Sequence, residues 1–326
     1  MLRTEIIDHM GAYEYPMIEA EDYVAPASAF DVAAKALFSV SYRPSGFVNR
    51  WGNYIVPRYQ SGKYEGASLN VYVVRDDTDD VLGLHSSKYD RRMDGYRTVV
   101  ETAEQLFPNT TTSCTLFGNG ERMILTQDLG EAVDVGGGDT LLPQIVWTSS
   151  LNGTWATAVY DVMYRLFCQN QLMGTNSLWK VRRTTNHGDL VTARASILEG
   201  SMRRAKAQTE IARVLSDGAY TRDQFFALVE KLVPEVPHDA SVRAQNQVVR
   251  LRGSMLVAWG NEVQAWGRHG MGNRWLAYNA VQGAEQHSVN AGFKTGSEAR
   301  LKSLAKSVEG KTPLAEKAHA LLAMGI

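Results

Sequence analysis

Apolar side chains along this chain change their spacing once. Up to about Gly188 they recur mainly at every second residue, and beyond it at every third or fourth. The short period suits strands with one buried face, and the long period suits helices with one buried stripe. Strands gathered in one half and helices in the other define an α+β fold: an antiparallel or mixed β-sheet in the N-terminal half with a helical C-terminal half packed on it. The switch separates a sheet-containing region, 1–187, from a helical region, 188–326, and the two can form one domain.

Local signals fill in both halves. Residues 28–40 have the alanine-rich spacing of a helix, and 69–74 form a β-prone run closed by Asp76-Asp77-Thr78-Asp79-Asp80. Asp94 is placed to cap a helix carrying Tyr96, Val99, Val100, Ala103 and Leu106, which Pro108 ends. Residues 111–117 and 122–127 read as a hairpin turning at Gly118-Asn119-Gly120, and 141–148 and 154–160 as a second one around Leu151-Asn152-Gly153. Runs at 164–172 and 178–183 bring the expected sheet to five or more strands. Helices are expected over 188–217, 225–232 with Thr221 as its cap, 241–266, 273–290, 296–308 and 313–324. The first of these carries Leu190, Val191, Ile197, Leu198, Met202, Ala205, Ile211 and Leu215 near one face.

A formal net charge of −1 says nothing about partners, but its distribution does. Residues 1–34 hold seven acids against Arg3, whereas 165–213 hold nine bases against Asp189, Glu199 and Glu210. Such asymmetry points to a polyanion partner. The two cysteines, Cys114 and Cys168, lie in apolar runs and form no disulfide framework, which fits a reducing, cytoplasmic setting. The first ten residues lack the apolar core of a secretory signal, and no apolar window of about eighteen residues suggests a membrane span.

Most chemical signatures fail on spacing. None of the seven histidines stands in a His-x-x-x-His pair or beside a cysteine at ligand spacing, so no metal site is expected. The run from Asp76 to Asp80 lacks the spaced ligands of a calcium loop and reads as a solvated turn. Gly136-Gly137-Gly138-Asp139-Thr140 lacks the Lys-Ser/Thr ending of a phosphate loop. Gly270-Met271-Gly272-Asn273 opens a helix whose amides would suit an anion, though an Asn cap explains it as well. Cys168 and His187 form a conceivable nucleophile and base, but apolar neighbours raise a thiol's pKa and favour a core reading. No catalytic residue and no cofactor is assigned.

The cationic constellation carries more. Lys180, Arg182 and Arg183 lie on an expected strand that places Lys180 and Arg182 on one face, with Trp179 and Trp155 near in sequence. Arg203, Arg204 and Lys206 would extend the strip onto the following helix. Guanidinium groups hold phosphates and aromatic rings stack on bases, so the pattern suits a single-stranded nucleic acid. The plain alternative is a solvated charged face with two core tryptophans. A third cluster, Trp275 to Val281 with Glu285 and His287, sets an Asn and a Glu on an apolar helix. These polar groups mark a site or satisfy backbone groups where elements meet.

Four stretches together resemble one family. They are 82–89 (LGLHSSKY), 116–122 (LFGNGER), 165–172 (RLFCQNQL) with Arg165, Cys168 and Asn170, and 276–281 (LAYNAV) with Tyr278, Asn279 and the later His287. The chain is similar to the phage/plasmid-like family catalogued as domain of unknown function 932. That resemblance implies a protein of a mobile genetic element acting inside a bacterial cell, and it implies no catalytic residues. A strand-rich core followed by a long basic helix also resembles single-strand annealing proteins at the level of fold, which implies self-association. The expectation is a single-stranded DNA-binding protein, promoting annealing or recombination, with Lys180, Arg182, Arg183, Arg203 and Arg204 on phosphates and Trp179 on a base. One alternative is an enzyme on nucleotides or nucleic acid using Asn170, His187, Asn279 and Glu285. Another is a structural or host-interaction protein.

Overall fold

A computed structural model describes residues 25–44, 47–48, 54–55, 71–85, 95–130, 132–136, 139–165, 171–173, 178–181, 194–237, 239–267, 271–285 and 313–324. Among these, strands dominate up to Val181 and helices dominate after it. The chain is α+β.

Near the start, Ser28 caps a single turn, α1 (Ala29–Val32), which passes through a 3-10 turn into β1 (Val40–Pro44). The helix expected over 28–40 is thus one turn long. Strands β4 (Val71–Arg75) and β5 (Val81–His85) pair antiparallel, and β1 joins the other edge of β4. Two short strands, β2 (Phe47–Val48) and β3 (Tyr54–Ile55), pair with each other. The acidic run is the β4–β5 turn: Asp79 adopts a left-handed φ of 64°, pairs with Arg43 at 2.9 Å, and Asp77 takes the Arg75 guanidinium at 2.6 Å. That contact raises the Arg75 pKa and holds the Asp77 carboxyl below its ordinary range.

Helix α2 (Arg97–Leu106) buries Val99, Val100, Ala103 and Leu106, the residues its spacing selects. The main sheet has seven strands. Strand β6 (Thr111–Phe117) turns at Gly118-Asn119-Gly120 into β7 (Arg122–Asp128), as the hairpin signal requires. Strand β8 (Val133–Gly136) leads into the long β9 (Asp139–Ser150), which pairs β7 on one side and β10 (Thr157–Arg165) on the other. Two short strands, β11 (Gln171–Met173) and β12 (Trp179–Val181), share the far edge of β10.

Because side chains alternate along a strand, register assigns the faces. Leu125, Ile145, Trp147 and Val159 lie on one face and join Val99, Val100 and Ala103 of α2 in one core cluster. Gln127 stands on that face, fully buried. Its Nε2 donates to the Ala103 and Phe107 carbonyls, and its Oε1 accepts from Trp147 Nε1 at 2.7 Å. The opposite face carries a smaller cluster of Phe117, Ile124, Val146 and Val162, with Trp155 and Tyr160 packed against it.

The helical half follows its caps closely. Helix α3 (Arg194–Ser216) crosses the first face. It buries Ile197 and Leu215 as its spacing predicts, but Ile211 is 40% exposed and the small residues Gly200, Ser201 and Thr209 are buried in its place. A helix lying close on a sheet favours small side chains at the contact. Thr221 and Gln224 close a capping box on α4 (Arg222–Leu232). Ser241 caps the long α5 (Val242–Trp266) and Asn273 caps α6 (Arg274–Gly283). Helix α6 is described as far as Gly283, residues 286–290 of the expected stretch lie outside the described residues, and from Trp275 to Gly283 every residue is buried. The last helix, α7 (Pro313–Ala323), packs on α6. The helix expected over 296–308 lies outside the described residues. Sheet residues Val135, Leu141 and Met163 belong to the same core cluster as the helical half, so the two parts share a core. At Gly272 any larger side chain would enter the Trp259 ring, which itself stacks on Phe225 at 4.7 Å.

Candidate nucleic-acid interface

Adjacent cations on α3 have different environments. Arg204 Nη1 lies 2.9 Å from Asp161 Oδ1, and the Asp161 side chain is only 4% exposed. Asp161 shares its face with Val159 and Met163, the face on which α3 lies. Burial pushes the Asp161 carboxyl above its ordinary pKa, and the Arg204 guanidinium opposes that push. Gln208 Nε2 stands 3.5 Å from the second carboxylate oxygen. The expected phosphate contact of Arg204 therefore gives way to an internal ion pair. Withdrawing this cation would strand a carboxylate in low dielectric. Arg203 is exposed, as is Lys206, but Glu199 precedes the first by one turn and Glu210 follows the second by one turn.

Lys180 is exposed on β12 and pairs in register with Ala158. Ala158, Tyr160 and Val162 form the face of β10 opposite Asp161, so Lys180 lies on the side of the sheet away from α3. The backbone of Trp179 pairs with Val159, a residue of the helix-covered core. Arg182 and Arg183, next along the chain, lie outside the described residues. Among the described residues, the cations of the expected strip are divided between two sides of the sheet.

A different grouping forms on the side away from α3. Arg122 begins β7, opposite Phe117 of β6 and Ser150 of β9. Its guanidinium lies 4.7 Å from the centre of the Trp155 ring and 5.2 Å from that of Phe117. The two rings meet edge to face at 5.4 Å. Trp155 sits in the β9–β10 turn, where Ser150 Oγ accepts from Trp155 N at 3.0 Å and donates to Trp155 O at 2.8 Å. Asn152 shapes the same turn. Its Oδ1 accepts from Thr154 N at 3.0 Å, and its Nδ2 donates to Glu121 across the hairpin tip at 3.0 Å. Asn109 and Asn152 therefore serve as turn residues, as their contexts imply. Gly83 of β5 comes so close to the Leu151 carbonyl that no β-carbon fits, which ties the small sheet to this turn.

Tyr160 and Lys180 continue the same face. Burial raises the Tyr160 hydroxyl, with Thr148 partly offsetting it. Arg122 and Lys180 are three strand spacings apart, about 15 Å, with Trp155 at the turn end of the same face. The centre of the face, at Ile124, Val146, Thr148 and Val162, is buried. What is accessible is a margin of half-buried Arg122, Trp155 and Tyr160 and exposed Lys180. The sequence names Arg122 within the hairpin motif and Trp155 near the cations, but joining them needs the β7–β9 pairing. Tyr160 gives no signal of its own in the sequence.

The remaining candidates serve packing or lie beyond view. Arg165 ends β10, its backbone paired with Leu141. Cys168, Asn170 and His187 lie outside the described residues. Tyr278 is buried, with its hydroxyl pKa raised by desolvation and by the nearby acids Glu285 and Glu316. Asn279 donates to the Trp275 carbonyl at 2.8 Å, and Glu285 accepts from Leu314 N and Ala315 N, capping α7. The Asn and Glu of this apolar segment thus satisfy backbone groups. Cys114 is a half-buried thiol whose pKa is pushed up to about 12 by desolvation. Among the described residues, no group of three or more His, Cys, Asp or Glu is arranged to hold a metal ion, and no helix is long and apolar enough to cross a membrane.

Fold and site together define an α+β protein with a cation–aromatic margin on its main sheet. Residues 87–318, more than half of the chain, match the family described as Domain of unknown function (DUF932), and the chain belongs to that family. No curated protein and no solved structure matches the chain.

Proposed function

We propose that this DUF932 protein binds single-stranded DNA along the sheet margin formed by Arg122, Trp155, Tyr160 and Lys180, in the service of strand annealing or recombination in a mobile element. The observation that carries the reading is the Arg122–Trp155 cation–aromatic contact at 4.7 Å on the same sheet face as the exposed Lys180. Arginine combines contact with aromatic faces and a planar N–H fork that matches phosphate. An indole offers every base the same π-face, so binding tolerates any sequence. The roughly 15 Å between the two cations matches about four bases stacked at ~3.4 Å. No covalent step is needed.

Fluorescence anisotropy with labelled oligo(dT), a duplex of equal length and oligo(U) tests the proposal. Oligo(dT) should bind more tightly than the duplex. Trp155→Ala should weaken oligo(dT) binding by about 5- to 150-fold, the value of one stacked base. Equal affinity for single strand and duplex, or full affinity in the variant, refutes this reading. Preference for oligo(U) replaces DNA by RNA as the ligand.

A further inference from the structure

A cleft of about 500 Å³ opens where α3 ends and α6 begins, against Val135 of β8 and Asp139 of β9. It lies on the helical side of the molecule, apart from the sheet margin. Its volume falls in the range of sites for small organic molecules.

The lining has a consistent chemistry. Trp266 and Trp275 supply indole surface, and Val214 and Met271 add apolar surface that is 53% and 51% exposed. Large apolar side chains this open to water at a concave site favour an occupant with an apolar body. Three carboxylates line the same cleft: Asp139 at its base, 1% exposed, with Glu210 and Asp217 exposed on the rim. Arg213, on α3 between Glu210 and Asp217, is the only base of the lining among the described residues. Arg274, just behind, directs its guanidinium to the Leu322 and Val214 carbonyls. At the start of α6, Asn273 Oδ1 accepts from Leu276 N at 2.8 Å, so that amide is already taken. Asp139 is fixed by the Trp275 indole, which donates to its Oδ2 at 2.7 Å. Carboxylates attract cations by charge, and indole rings do so by their quadrupole.

We propose that this cleft binds an organic cation, an ammonium or guanidinium group carried on an apolar body, with Asp139 as counter-charge and Trp266 as wall. Isothermal calorimetry with three probes of one shape tests it: phenethylamine, phenethyl alcohol and phenylacetate, at neutral pH. Phenethylamine should bind at least tenfold more tightly than the alcohol, and phenylacetate should bind weakest. Asp139→Asn, which can still accept from Trp275, should lose that tenfold preference. If that variant does not fold, the exposed pair Glu210→Gln with Asp217→Asn decides, with a several-fold weaker affinity expected. Equal binding of the three probes, no binding of phenethylamine, or unchanged affinity in a folded variant overturns the proposal.

Discussion

The two sides of the seven-stranded sheet treat similar residues in opposite ways. On the side covered by α2 and α3, Arg204 meets the buried Asp161, and Trp147 is fully buried with its indole bound to Gln127. On the other side, Lys180 is exposed, and Arg122 lies over Trp155. A cation and a tryptophan thus serve packing on one face and remain accessible on the other. Charge counts along the chain do not separate these fates, whereas strand register does, because a shift of one residue exchanges the faces.

The comparison breaks most visibly in stability. Trp147→Ala should cost about 3–5 kcal/mol by emptying a core site and orphaning Gln127 Oε1, whereas Trp155→Ala should cost well under half as much. Urea midpoints of the two variants check this, and equal losses would erase the distinction between the faces. The next contrast is Arg204→Ala, expected to cost about 1–3 kcal/mol, against Lys180→Ala, expected within about 0.5 kcal/mol. The Arg204 figure is held to that range because its side chain is 33% exposed.

The subtlest contrast is pH dependence at Asp161. Burial raises its folded-state pKa despite Arg204. A raised carboxyl favours the folded state fully below its unfolded value of ~3.9, and that contribution is lost as pH rises through the folded value. The stability of the wild type relative to Asp161→Asn should therefore decline as pH rises from about 4, then level off. A difference that grows with pH over that window would mean that the Arg204 pairing outweighs desolvation.

Much of the fold was legible because local signals and tertiary packing agree. Gly118-Asn119-Gly120 fixes the β6–β7 hairpin, Thr221 with Gln224 fixes the start of α4, and Asn273 fixes the start of α6. The α3 stripe was less legible. Ile211 satisfies the period yet stays 40% exposed, while the smaller Ser201 and Thr209 are the buried positions of α3. The site was the least legible part. Arg203 and Arg204 are neighbours in sequence, but successive residues on a helix are about 100° apart, so one meets solvent and the other Asp161. Arg122 and Trp155 are 33 positions apart (155 minus 122) and become neighbours only through the β7–β9 pairing.

The salt dependence of oligo(dT) affinity in paired variants tests the central claim most directly. Each phosphate contact on a single strand contributes about −0.7 to the slope of log K against log[salt]. Arg122→Ala with Lys180→Ala should flatten the slope by about 1.4, while Arg203→Ala with Arg204→Ala, measured while still folded, should leave it unchanged. A flattened slope in the α3 pair, with the sheet-margin pair behaving like wild type, would contradict the account and return the nucleic acid to the helix side.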